Sequence, residues 1–224
     1  MPRPLIAALA VAAAVSVMPQ QAEACGGGWF EAPLIDYRIQ GVAQAEKRLE
    51  EGKYAEAASS VIRMIPHIQG YKKATRDPII NRAIRVLAVA TTRSEGQLSI
   101  EKLVSPEQHS TWLGTSGEER ETNLRWSVAA LQGVKKLKAK SDPTLESELG
   151  EALALVPEFS SQGRGLLHKL AEKDLLTTPE AYAALAKLRG QIGDDDGRVA
   201  ALQRCRAMAK DATLCVPNAT GANS

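Results

Sequence analysis

Apolar residues recur along this chain at helical spacing, in short stripes separated by polar faces. Ile39, Val42, Ala45 and Leu49 fall three or four residues apart, with Glu46, Lys47, Arg48, Glu50 and Glu51 between and after them. That is one amphipathic helix, and Asp36 is placed as its N-cap. Gly52-Lys53 breaks it. A second helix starts near Tyr54, carries Ala57, Ala58, Val61, Ile62 and Ile65 on its apolar side, and stops at Pro66. Asp77-Pro78 is a cap followed by proline, the common opening of a helix. The residues after it, Ile79 to Ala90, are apolar on most faces, so this third helix is predicted at the centre of the core.

Ser94 to Gly117 is irregular, with at most a short helical turn from Pro106 to Leu113. A long helix is predicted from Glu118 to Lys138, with Leu124, Val128, Leu131, Val134 and Leu137 in one stripe. Asp142-Pro143 repeats the cap-plus-proline start, and Pro157 ends the helix that follows. Further helices are expected over Gly165–Lys173, from Thr178-Pro179 to about Ile192, and over Arg198–Lys210, with a turn at Gly193 to Gly197. Strand alternation is not evident. The expected fold is all-α, with about eight helices in consecutive antiparallel hairpins, stacked as an array or packed as an irregular bundle.

The first residues change the picture of compartment. Arg3, an apolar run from Leu5 to Val17, and Ala22-Glu23-Ala24 read as an export signal over residues 1–24, too short to span a bilayer as a stable helix. Residues 25–35 then form a tether and an apolar strap (Trp29 to Ile35), 36–215 the helical domain, and 216–224 a disordered polar tail. Export makes the cysteines informative. Cys205 and Cys215 are ten residues apart in and just after the last helix, and are expected to pair. Cys25 is left over at the cleavage point, followed by three glycines. Either it is lipidated, which tethers the protein to a membrane, or the chain is simply released into the periplasm or secreted. A bacterial lipoprotein signal usually carries Leu three residues before the cysteine, where Ala22 stands here.

Two helix pairs resemble tetratricopeptide repeats. Ala45, Gly52, Tyr54 and Ala57 follow that family's order of a small residue, a glycine-plus-aromatic turn and a second small residue, and Pro66 closes the unit early. Tyr182 to Ala209 is the second, with Gly193-Asp194 at the turn and Ala200 and Ala207 at the small positions. The family's tryptophan near the start of the first helix is missing from both. The resemblance implies a scaffold that binds a protein or peptide partner along its first helices. In the first unit Arg38, Gln40, Gln44, Lys47 and Arg48 are the partner-binding candidates it points to.

Charge and chemistry add little to this. The chain carries 28 Lys and Arg against 26 Asp and Glu, for a net charge of +2. Losing residues 1–24 removes one base and one acid, so the balance holds. That excludes a strongly basic nucleic-acid binder. His67, His109 and His168 lack partners at metal-ligand spacing, and no catalytic, cofactor-binding or metal residue is assigned. His109, beside Ser110 and near Glu107, is the one place where a hydrolase site could assemble, and it is the weaker alternative to a binding role. Asp194-Asp195-Asp196-Gly197 lacks the alternating acids of a calcium loop and reads as an acidic cap on the last helix. Trp29, Trp112 and Trp126 read as core filler. The expected function is therefore an exported, non-catalytic scaffold that binds a protein or peptide in the cell envelope, with a lipid-anchored structural protein as the other reading.

Overall fold

The computed structural model describes residues 36–71, 75–109 and 111–216. The expected export signal, Cys25, the Trp29 strap and the tail beyond Val216 lie outside the described residues. Nine α-helices occur among the described residues, and no strand: α1 Tyr37–Glu50, α2 Tyr54–Met64, α3 Pro78–Arg93, α4 Pro106–His109, α5 Gly117–Lys136, α6 Pro143–Leu155, α7 Ser160–Glu172, α8 Pro179–Gln191 and α9 Asp195–Met208. The cap residues act as the sequence requires. Asp36, Asp77, Asp142, Thr178 and Asp194 each accept a bond from a first-turn amide. Proline stands in the first turn of α3, α6 and α8, where a missing N–H costs nothing. Ser116 and Glu119 form a reciprocal capping box on α5.

The helices pack as four hairpins: α1 with α2, α3 with α5, α6 with α7, and α8 with α9. Each hairpin's second helix also touches the next hairpin's first helix, so α2 lies on α3, α5 on α6 and α7 on α8. The first helices touch one another in series, α1 to α3 to α6 to α8. This is the nearest-neighbour pattern of stacked hairpins. The predicted core centre is α3, whose residues Ala83, Ile84 and Val86 to Thr92 are all buried. A second apolar cluster joins Leu167, Leu170, Tyr182, Leu185, Leu188, Leu202 and Cys205 across α7, α8 and α9.

The segment between α3 and α5 is irregular apart from the single-turn helix α4, but it is firmly packed. Leu98, Ile100 and Trp112 are buried, and the Trp112 and Trp126 rings meet edge to face at 5.0 Å. Asn123 of α5 donates to the carbonyls of Gly96 (2.9 Å) and Thr111 (3.0 Å), which ties both ends of the excursion to the helix. Gly96 has φ +81, and a Cβ there would lie 2.5 Å from the Arg120 carbonyl oxygen, so only glycine fits.

Three boundaries differ from expectation. Helix α7 begins at Ser160 rather than Gly165, because the run Ser160-Ser161-Gln162-Gly163 looks like loop but serves a close helix crossing. A Cβ on the buried Gly163 would sit 2.8 Å from the Ala154 amide nitrogen of α6. Helix α9 begins at Asp195, since acidic residues in a first turn complement the helix dipole. That start also fixes its register: Ala201, Leu202 and Cys205 are buried, while Ala200 and Ala207, expected at a close crossing, are exposed. Helix α5 ends at Lys136, and Leu137 is left mostly exposed.

The α6–α7 crossing gives a direct test. Gly163→Ala should cost about 1–3 kcal/mol in urea unfolding, because backbone rather than a movable side chain opposes the new methyl. No loss of stability would mean that the two helices do not approach this closely.

Candidate binding site

Helix α3 carries basic residues on an otherwise apolar surface, and its neighbours answer them. Arg82 pairs with Glu46 of α1, with its Nε 2.9 Å from Oε1. Arg85 grips Glu148 of α6 through two bonds of 2.6 and 2.8 Å. Arg93, at the end of α3, grips Glu151 of α6 at 3.0 and 3.3 Å and also reaches Glu180 of α8 at 3.4 Å. Thr178, the cap of α8, donates its hydroxyl to Glu151 at 2.7 Å. The Tyr54 hydroxyl, from the first turn of α2, donates to Glu180 at 3.1 Å. Arg93 and Glu151 are 10% and 4% exposed as side chains, so their charges are held away from water.

One polar cluster thus joins all four hairpins, and it brings the first to the fourth. Its electrostatics follow from burial. Burial opposes the charge on Arg93, but Glu151 and Glu180 more than offset it, and the guanidinium pKa is raised above its ordinary value. Burial, aided by the Glu180 carboxylate, pushes the Tyr54 phenol up to about 12, so the phenol keeps its proton and remains a donor. Burial also raises Glu148, against the pull of Arg85.

Tyr54 belongs to a second feature as well. An open cleft of about 540 Å³ lies between the α1–α2 turn and the segment after α3, lined by Gly52, Lys53, Tyr54, Ala55, Glu56, Ser94, Gln97 and Ser99. Its wall is mostly polar. The Lys53 ammonium is 2.9 Å from Glu51. Gly52 has φ +76, which lets the chain reverse sharply enough to present Lys53 and the start of α2 to the cleft.

The residues expected to contact a partner divide around this cleft. Arg48 is on its rim: its guanidinium is 3.7 Å from Glu56 and bonds the Ser60 hydroxyl, and its carbonyl accepts from the Lys53 amide. Gln40, Gln44 and Lys47 are exposed on the same helix. Arg38 is at the far end of α1, where it pairs with Asp36 at 2.7 Å and Asp77 at 3.2 Å and so ties α1 to the start of α3. The cluster itself was not anticipated. Its signal was present: Arg85 and Arg93 are eight residues apart on one face of a buried helix, and Glu148 interrupts the apolar stripe of α6 between Leu145 and Ala152.

His109 is on α4, and its Nδ1 is buried with no hydrogen-bond partner among the described residues. His168 is on α7, with its Nδ1 2.9 Å from Arg189 and its Nε2 3.4 Å from Glu172. No group of three His, Cys, Asp or Glu side chains is placed to hold a metal among the described residues. No described helix is long and apolar enough to cross a membrane. The Cys205 and Cys215 sulfurs lie at disulfide-bonding distance, with Cα atoms 5.8 Å apart and both residues fully buried. No protein-family model, no curated protein and no solved structure matches the chain.

Proposed function

We propose that this chain is an exported, tetratricopeptide-like scaffold that binds a protein or peptide partner in a bacterial cell envelope. The observation that carries the reading is the cleft between the α1–α2 turn and the segment after α3. It is open, polar and formed where two hairpins meet, with Arg48 on its rim and Gln44 and Lys47 exposed on the same helix. Stacked hairpins supply a rigid frame for such a surface, and the frame here is fixed by the Arg93 cluster beside it. The paired Cys205 and Cys215 support an oxidising compartment, in keeping with the signal-like first residues.

The test is photo-crosslinking in the native envelope. A crosslinker at Gln97, which lines the cleft, should capture one partner, and the same group at the exposed Lys169 of α7 should not. Lys53→Glu, which reverses the charge of the lysine lining the cleft, should reduce the capture at least about tenfold. Equal yields at both positions, or none at Gln97, would overturn the reading.

A further inference from the structure

The bases of this chain are segregated from its acids. Between Glu56 and Glu95 the only acid is Asp77, and between Glu121 and Glu146 the only acid is Asp142. The fold brings parts of these two stretches to one end of the stack. Helices α3 and α5 pack together, and Asn123, near the start of α5, bonds the Gly96 carbonyl just after α3, so the two run antiparallel. The end of α5 is therefore beside the start of α3. The Arg38–Asp77 pair adds the start of α1 to the same end. The acids there are spent. Asp36, Asp77 and Asp142 cap helices and also pair with Arg38 or Lys138, and Glu146 pairs with Lys135 at 3.1 Å. The bases are not. Arg76, Lys136 and Lys140 are exposed and make no ion pair among the described residues. Lys140 lies past the helix, so the α5 dipole does not account for it. Apolar surface accompanies them: Leu137, among the lysines, is 56% exposed, and Tyr37, the first residue of α1, 76%.

We infer that this end of the stack is a membrane-docking face that sits on an anionic phospholipid bilayer. The unpaired bases are drawn to lipid phosphates, and Leu137 and Tyr37 enter the headgroup layer between them. A lysine's aliphatic stem lies along such a surface while its ammonium stays with the phosphates. A fluid lipid layer admits single apolar side chains set among bases, whereas a protein partner needs a shaped pocket to bury them. The chain also enters the domain here, since residues 25–35 run directly into Asp36 and α1. A tether at Cys25 thus leads to this end of the stack. The cleft is at the opposite ends of α1 and α3. The face requires no lipid on Cys25, and it stands apart from whatever the cleft binds.

Vesicle sedimentation tests this, with the full chain carrying Cys25→Ser so that no lipid is attached. At about 0.1 M salt it should bind mixed phosphatidylglycerol–phosphatidylcholine vesicles at least about tenfold more tightly than phosphatidylcholine alone, and about 0.5 M salt should remove most of that preference. Lys136→Glu with Lys140→Glu should weaken binding to the mixed vesicles at least about tenfold, and Leu137→Ser at least about threefold. The matched reversal at the exposed Lys102 and Lys187, outside this face, should leave binding within about twofold of the parent. All variants share residues 1–24, so that apolar run cannot produce the differences. In the native envelope, a photo-reactive residue in place of Leu137 should be captured by lipid. Equal binding to both vesicle types would overturn the proposal, as would a Lys136 and Lys140 reversal without loss or an equal loss in the control reversal. So would a protein adduct in place of lipid at position 137.

Discussion

Arg93→Ala is expected to destabilise this protein by about 3–5 kcal/mol at neutral pH. Among the described residues the guanidinium is the one cation shared by Glu151 and Glu180, and Glu151 is 4% exposed as a side chain. Its removal strands two carboxylates in a site that water scarcely reaches. The loss comes from those unpaired charges more than from the missing contacts. Arg93→Ala combined with Glu151→Gln should recover part of the loss at neutral pH. Urea unfolding at neutral pH checks both points. A loss below about 1 kcal/mol would mean that the cluster is hydrated and contributes little.

The second large effect concerns Cys205 and Cys215. Cys215→Ser should cost about 2–3 kcal/mol, the loop-closure entropy of a bridge spanning ten residues. The loss should be local in origin. Cys205 is in the apolar cluster of α8 and α9, and Cys215 closes the 3₁₀ turn against it. Native-state hydrogen exchange should accelerate first at the end of α9, with α3 little changed. Thiol titration of the unfolded, unreduced chain should find Cys205 and Cys215 unreactive. Two reactive thiols at those positions would remove the main physical support for an oxidising compartment.

Much of the fold was legible because local rules and burial agree. Asp77-Pro78, Asp142-Pro143 and Thr178-Pro179 mark helix starts that tertiary packing has no reason to override. The apolar surround of Ile79 to Ala90 gave the core centre, since such a helix must be enclosed. The start of α7 was hidden because Gly163 reads as a breaker unless the partner backbone 2.8 Å from its missing Cβ is known. Ala200 and Ala207 misled for the converse reason. Small residues suit both a close crossing and an exposed face, and only the register set by Asp194 distinguishes them. The polar cluster lay beyond pattern reading, because Tyr54 and Glu180 meet across 126 residues of chain. The cleft beside Arg48 was hidden as well, since part of its wall, Ser94, Gln97 and Ser99, comes from the segment after α3.

Four hairpins form one stack, and its first and last members are bonded to each other through Tyr54 and Glu180. A double-mutant cycle on Tyr54→Phe and Glu180→Gln measures that contact directly. Each change keeps the shape of its side chain while altering the hydrogen bond. A coupling of about 0.5–1.5 kcal/mol between these two residues is expected in equilibrium unfolding. Strict additivity, with each change costing the same whether or not the other is present, would contradict it and leave the stack open at its ends.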